Sequence, residues 1–150
     1  MEGKVSSRFE ELAGPIFKSG ADNWTNLITS GQYWMKAPLG GKWDWACGLG
    51  FELPADSITG YPHVELWIEV ASNAKHRQKI VAAMKDISRR RPEWNSYDLD
   101  QPEAESGIYR WHSLQGFLSQ EDHIAAIEAY LLELLDDLAS FKKKYPSLPW

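Results

Sequence analysis

Near the end of the chain, Ile124, Ile127, Leu131, Leu134, Leu138 and Phe141 recur at spacings of three and four. Residues so spaced line one face of an α-helix. The pattern predicts a helix from about Gln120 to Lys143. Ser119 is placed to cap it, Glu121 and Asp122 lie in its first turn, and Lys142, Lys143 and Lys144 lie at its end. Both charge placements suit the helix dipole. Burying six such side chains contributes on the order of 10 kcal/mol before chain entropy is subtracted. The stripe must therefore meet a partner surface. That surface is either a sheet of the same chain or the same stripe on a second copy, because three-four spacing also suits coiled coils.

The rest of the chain supplies a sheet. From His63 to Val70, Val64, Leu66, Ile68 and Val70 alternate with His63, Glu65, Trp67 and Glu69, as in a strand with one buried face. Trp43 to Leu53 reads as a second strand of unequal faces. Trp43, Trp45, Cys47, Leu49 and Phe51 point one way; Asp44, Ala46, Gly48 and Gly50 point the other. Glycines within a strand mark places where another group approaches closely, so a helix is expected on the light face, with a ligand as the alternative. Tyr33 to Ala37 forms an earlier strand, joined through a turn at Leu39-Gly40-Gly41-Lys42.

A helix is predicted from about Asn73 to Arg90, with Ile80, Met84 and Ile87 on one face and Pro92 just beyond it. Trp94 to Leu99 and Gly107 to Leu114 read as two further strands. An N-terminal helix over about residues 5 to 13, capped by Ser7, is stopped by Gly14-Pro15. The expected fold is α+β, with the order α-βββ-α-ββ-α. Its five-stranded antiparallel sheet carries the long C-terminal helix. Residues 1–150 form one domain, with 1–20 an N-terminal helix and turn and 145–150 a tail.

Composition limits the functions open to such a fold. The formal net charge of -5 lacks the basic excess on which general nucleic-acid binding depends. A single cysteine, Cys47, rules out an internal disulfide and fits a reducing cytoplasm. No run approaches the roughly 20 apolar residues of a membrane span. Eight tryptophans are unusually many for 150 residues. They fill a core or build a recognition surface.

Three constellations carry candidate chemistry. Glu65 and Glu69, with His63 and Trp67, share one face of a strand, where carboxylates can hold a metal or move protons; a solvated sheet face is the alternative. A nuclease pattern of Asp followed by Glu-x-Lys meets Asp56 and then Glu65-Leu66-Trp67, with tryptophan where the cation belongs. Arg89 and Arg90, beside Arg91, Lys75, His76, Arg77 and Lys79, form the main basic cluster, suited to phosphates or an acidic partner. No catalytic residue, metal site or cofactor is assigned. Cys47, on the heavy strand face, is expected to be a buried, inert thiol.

The segments NWTNLITSGQ (Asn23 to Gln32), VELWIEV (Val64 to Val70), PEWNSYDLD (Pro92 to Asp100) and GIYRW (Gly107 to Trp111), with the closing helix, resemble a bacterial domain of unknown function. That domain occurs alone and at the C-terminal end of restriction-modification and endonuclease-like proteins. The resemblance implies an accessory part in phage defence or nucleic-acid processing, and it carries no catalytic residues over. The order of elements is also similar to that of small acidic secretion chaperones, a likeness of fold alone.

The leading expectation is a non-catalytic interaction domain of a bacterial or phage cytoplasmic protein. It is dimeric, has no membrane contact, and binds a protein partner or small ligand. Its candidate contacts are Trp24, Trp34, Trp67, Trp94, Glu65, Glu69, Arg89, Arg90 and Arg110. The rivals are a nucleic-acid-associated accessory domain and a metal-dependent hydrolase using Asp56, Glu65 and Glu69.

Overall fold

A computed structural model describes residues 2–19, 32–52 and 62–150. Its elements are α1 (Glu2–Ala13), β1 (Phe17–Ser19), β2 (Gln32–Pro38), a 3-10 turn (Leu39–Gly41), β3 (Trp45–Glu52), β4 (His63–Val70), α2 (Arg77–Arg90), β5 (Asn95–Tyr97), β6 (Ser106–Ser113), α3 (Gln115–Leu118) and α4 (His123–Lys144). The fold is α+β. The strands form one sheet in the spatial order β1-β2-β3-β4-β6-β5, with every neighbouring pair antiparallel. All five expected strands are present, and the short edge strand β1 is an addition within the predicted N-terminal turn.

The pleat divides the sheet into two faces. Met35, Ala37, Trp45, Cys47, Leu49, Val64, Leu66, Ile68, Val70 and Ile108 project to one of them. There they share one apolar core with Val5 and Phe9 of α1, Ile80 and Met84 of α2, Phe117 of α3 and the apolar row of α4. In that row Ile127, Leu131, Leu134, Leu138 and Phe141 are all buried, so the stripe finds its partner within its own chain. Ile124, in the first turn, is instead exposed. The cap is Asp122, whose side chain accepts from Ala125 N at 3.0 Å, three residues later than the Ser119 expected.

Local departures from the expected boundaries have packing causes. β3 begins at Trp45, and Trp43 lies in the preceding turn, 54% exposed and edge-on to Phe17 at 5.5 Å. The light face of β3 is covered by a side chain, where a helix was expected. The indole of Trp67 lies over Gly48, where any Cβ would collide with its ring. α2 starts at Arg77, because residues 71–76 turn first and Arg77 then reaches back. Its guanidinium donates to the carbonyls of Val70, Ala71 and Gln101 and to Ser106 Oγ.

The C-terminal residues 145–150 are docked and do not fray. Leu148 is buried, Trp150 packs on Trp45 at 4.8 Å, and Trp45 Nε1 donates to the Pro149 carbonyl at 3.2 Å. Gly40, at φ +66°, leaves room for that carbonyl, which a side chain would strike.

These placements separate two leucine-like positions of one helix. Leu134→Ala, at a site with no exposed surface, should cost about 2–5 kcal/mol. Ile124→Ala should stay within about 0.5 kcal/mol of the parent. Urea denaturation of both variants checks this, and equal losses would mean that α4 is rotated from the orientation described.

Candidate functional site

The second face of the sheet follows from register. One row of directly paired residues crosses all six strands: Phe17, Lys36, Gly48, Trp67, Tyr109 and Asn95. The next row places Trp34, Gly50, Glu65 and Trp111 side by side, and the row on the other flank places Pro38, Ala46, Glu69, Gly107 and Tyr97. Glu65 and Glu69 are thus separated along β4 by Trp67 and flanked across β6 by aromatic side chains. Among the described residues, every helix with buried apolar side chains places them in the core on the opposite face.

Small and large residues alternate across this face, so the large ones can lie down. Trp67 and Ala46, with Tyr109 against them, form a second apolar cluster apart from the main core. The Lys36 ammonium sits 5.7 Å from the Trp67 ring centroid, at cation–π range. Trp111 is 43% exposed and stacks on His63 with centroids 3.9 Å apart and 19° between planes.

The two carboxyls are enclosed, and among the described residues neither forms a salt bridge. Glu65 is 8% exposed. Burial first, then the charge of Glu52 and a hydrogen bond shared with it, push Glu65 up to about 8. Glu69 is pushed up to about 7 by burial first and then by a hydrogen bond with Glu105. Tyr97 Oη donates to Glu69 Oε2 at 3.2 Å, and together with Lys36 this opposes the rise. Burial and the nearby carboxylates, Glu69 foremost, push the Tyr97 phenol up as well. The arrangement is two carboxyl–carboxyl pairs on one aromatic surface, each able to hold a proton between its members.

The other sequence candidates are placed elsewhere. Trp24, Asp56 and the side chain of Trp34 lie outside the described residues. Trp94 is 4% exposed and belongs to the helix-side core. Arg110, on the helix-side face of β6, forms an ion pair with the buried Asp137 of α4 and lies 3.5 Å from Glu133. Arg91 reaches the same Asp137 at 3.3 Å. Arg89 and Arg90 both pair with Asp86, at 2.8 and 3.0 Å. Asp86 also accepts from Tyr145 Oη, and that bond, with Arg90 next, holds its carboxyl down at about 2. The basic helix is therefore largely neutralised by its own neighbours. A cleft of about 460 Å³ lies between α2 and the β5–β6 turn, but its Lys85 is already held by Asp100 at 2.6 Å.

Sequence reasoning missed Glu52, Glu105, Tyr97, Tyr109 and Trp111 as members of this face. Tyr109 and Trp111 carried a usable signal, since both share the parity of Gly107 along β6. Their alignment with Trp67 and Glu65 depends on strand register, which the chain does not spell out locally. Among the described residues no group of three or more His, Cys, Asp or Glu side chains is close enough to hold a metal ion, and no helix is long and apolar enough to cross a membrane. Compared with family models, curated proteins and solved structures, the chain matches none.

Two outcomes follow. Glu65 keeps its proton in the fold to about pH 8, whereas an unfolded glutamate releases it near 4.5. The raised value means that its contribution is complete below pH 4.5, declines above it, and is gone once the pH has risen through 8. Denaturation midpoints should fall between pH 5 and 9, and Glu65→Gln should flatten the slope. On the helix side, Asp137→Ala strands the Arg110 guanidinium and should cost about 3–5 kcal/mol. The double variant Arg110→Met, Asp137→Leu should recover much of that loss in the same denaturation measurement.

Proposed function

We propose that the protein is a non-catalytic binding module whose recognition surface is the sheet face bearing Trp67, Tyr109, Trp111, Glu65 and Glu69. The observation that carries this reading is the enclosed Glu65 carboxyl, 8% exposed on an aromatic surface and paired with another carboxyl, that of Glu52. A carboxyl so placed costs stability unless something compensates it. Tolerating that cost at a surface with exposed aromatic area is a mark of recognition. The acidic balance of the face favours a cationic or neutral partner over a nucleic acid.

A role as an accessory part in phage defence or restriction, acting in the cytoplasm and as a dimer, accords with the motif resemblance and remains within this proposal. The rival nucleic-acid reading draws less support, because Arg89 and Arg90 are held by Asp86 and Arg110 by Asp137. The rival hydrolase reading has Glu65 and Glu69 facing carboxyls and aromatic rings, with no metal-ligand group formed among the described residues.

Selection from a random peptide display library tests the module directly. Peptides retained by the parent protein should be lost on Trp111→Ser, a change at a 43%-exposed ring that leaves the fold intact. Circular dichroism and the denaturation midpoint verify that fold. Peptides that bind the parent and Trp111→Ser equally would overturn the reading. So would binding abolished only by Arg89→Ala with Arg90→Ala.

A further inference from the structure

We infer that the cleft between α2 and the β5–β6 turn is a site for adjacent hydroxyl groups of a neutral sugar. It lies apart from the aromatic face, because Ser96 in its wall pairs with Ile108 on the helix side of the sheet. The site is therefore additional to the recognition surface proposed above.

An orphaned hydroxyl marks the cleft. Among the described residues, Ser88 Oγ is the one enclosed side-chain oxygen or nitrogen that has no hydrogen-bond partner. Enclosed polar atoms in folded chains are nearly all paired, and one left unpaired costs stability. Ser88 lines the cleft and is only half-buried as a residue, so rotation about χ1 carries its hydroxyl between the packed side and the cleft. The missing partner is one that the cleft admits.

The opposite wall is fixed from beneath. Asp98 is held at φ +52°, a left-handed conformation that aspartate adopts more readily than most residues. Its carbonyl accepts from Ser106 Oγ at 2.6 Å and from Gln101 N at 3.0 Å, and Arg77 donates to the Gln101 carbonyl at 2.9 Å. These bonds use main-chain atoms of Asp98 and Gln101, and they spare the carboxylate and the amide for the cleft that both residues line. The space, about 460 Å³, suits a small molecule.

The lining selects the ligand. Lys85 gives one N–H to Asp100 at 2.6 Å and keeps two more, while Asp100 keeps its second oxygen. Carboxylates that accept, an ammonium that donates, and Ser88, Ser96 and Gln101 groups that do both thus surround one space. A hydroxyl also does both. Adjacent hydroxyls satisfy the set without breaking the Lys85–Asp100 pair, and their bonds to the carboxylates are charge-assisted. A simple anion would meet two carboxylates. A simple cation would compete with Lys85 for Asp100 and offer the spare Lys85 N–H groups no acceptor. Leu99 is the one apolar side chain of the lining, too little for a flat hydrophobic ligand.

The test titrates the full chain with D-glucose, D-galactose, D-mannose and D-ribose, and with the methyl glycosides of the first three, following backbone amide signals by NMR. Putrescine, inorganic phosphate and tert-butanol serve as controls. The expected result is saturable shifts centred on Ser88 and residues 96–101 with at least one sugar, at about millimolar concentration. Asp98→Asn keeps the left-handed turn and should weaken binding about tenfold. Ser88→Ala should weaken it about fivefold while leaving the denaturation midpoint unchanged or raised, since it removes the unpaired hydroxyl. Trp111→Ser should bind the sugar as the parent does. Equal binding of a sugar and its methyl glycoside assigns the site to ring hydroxyls that a glycan end also offers; binding of the free sugar alone assigns it to a free sugar. No saturable shift with any sugar, the same shifts with putrescine or phosphate, or parental affinity in both Asp98→Asn and Ser88→Ala would overturn the inference.

Discussion

The pleat of β4 under the helix layer is the constraint on which the rest depends. Val64, Leu66, Ile68 and Val70 must face α2 and α4, because their burial anchors the large core that those helices share. With side chains alternating, His63, Glu65, Trp67 and Glu69 have no choice but the opposite face. A slip of one residue would drive two carboxylates into the core and every apolar side chain out of it. β4 is also paired along its whole length on both sides, with β3 and β6, so its register is held by two ladders. The carboxyl positions are as rigid as the core that dictates them.

The two faces treat buried charge differently. On the helix side, Asp137 is matched by Arg110 and Arg91, and the cost of dehydrating the acid is met by charge-assisted hydrogen bonds. On the aromatic side, the acids are matched mostly by other acids and by protons. Arg77, Arg89, Arg90, Arg91 and Arg110 all spend their donors within their own surroundings on the helix side or at the sheet end. Lys36 is placed over this surface, at the Trp67 ring, and its charge opposes the rise at Glu69.

Much of this architecture was legible because it is written in short-range periodicity. The bounds of β4 are those that the alternation gives, and the row from Ile127 to Phe141 is buried as its spacing requires. Legibility stopped where one residue answers to another far along the chain. Trp43 shares the parity of Trp45 but sits in the turn before β3, against Phe17. Gly48 announced a close approach, yet only the register with β4 identifies the Trp67 ring as what approaches. Arg110 resembled a surface cation until α4 brought Asp137 to it, 27 residues later in sequence. The docked Trp150 depends on Trp45 and on the left-handed Gly40, neither of which marks the tail as ordered when read locally.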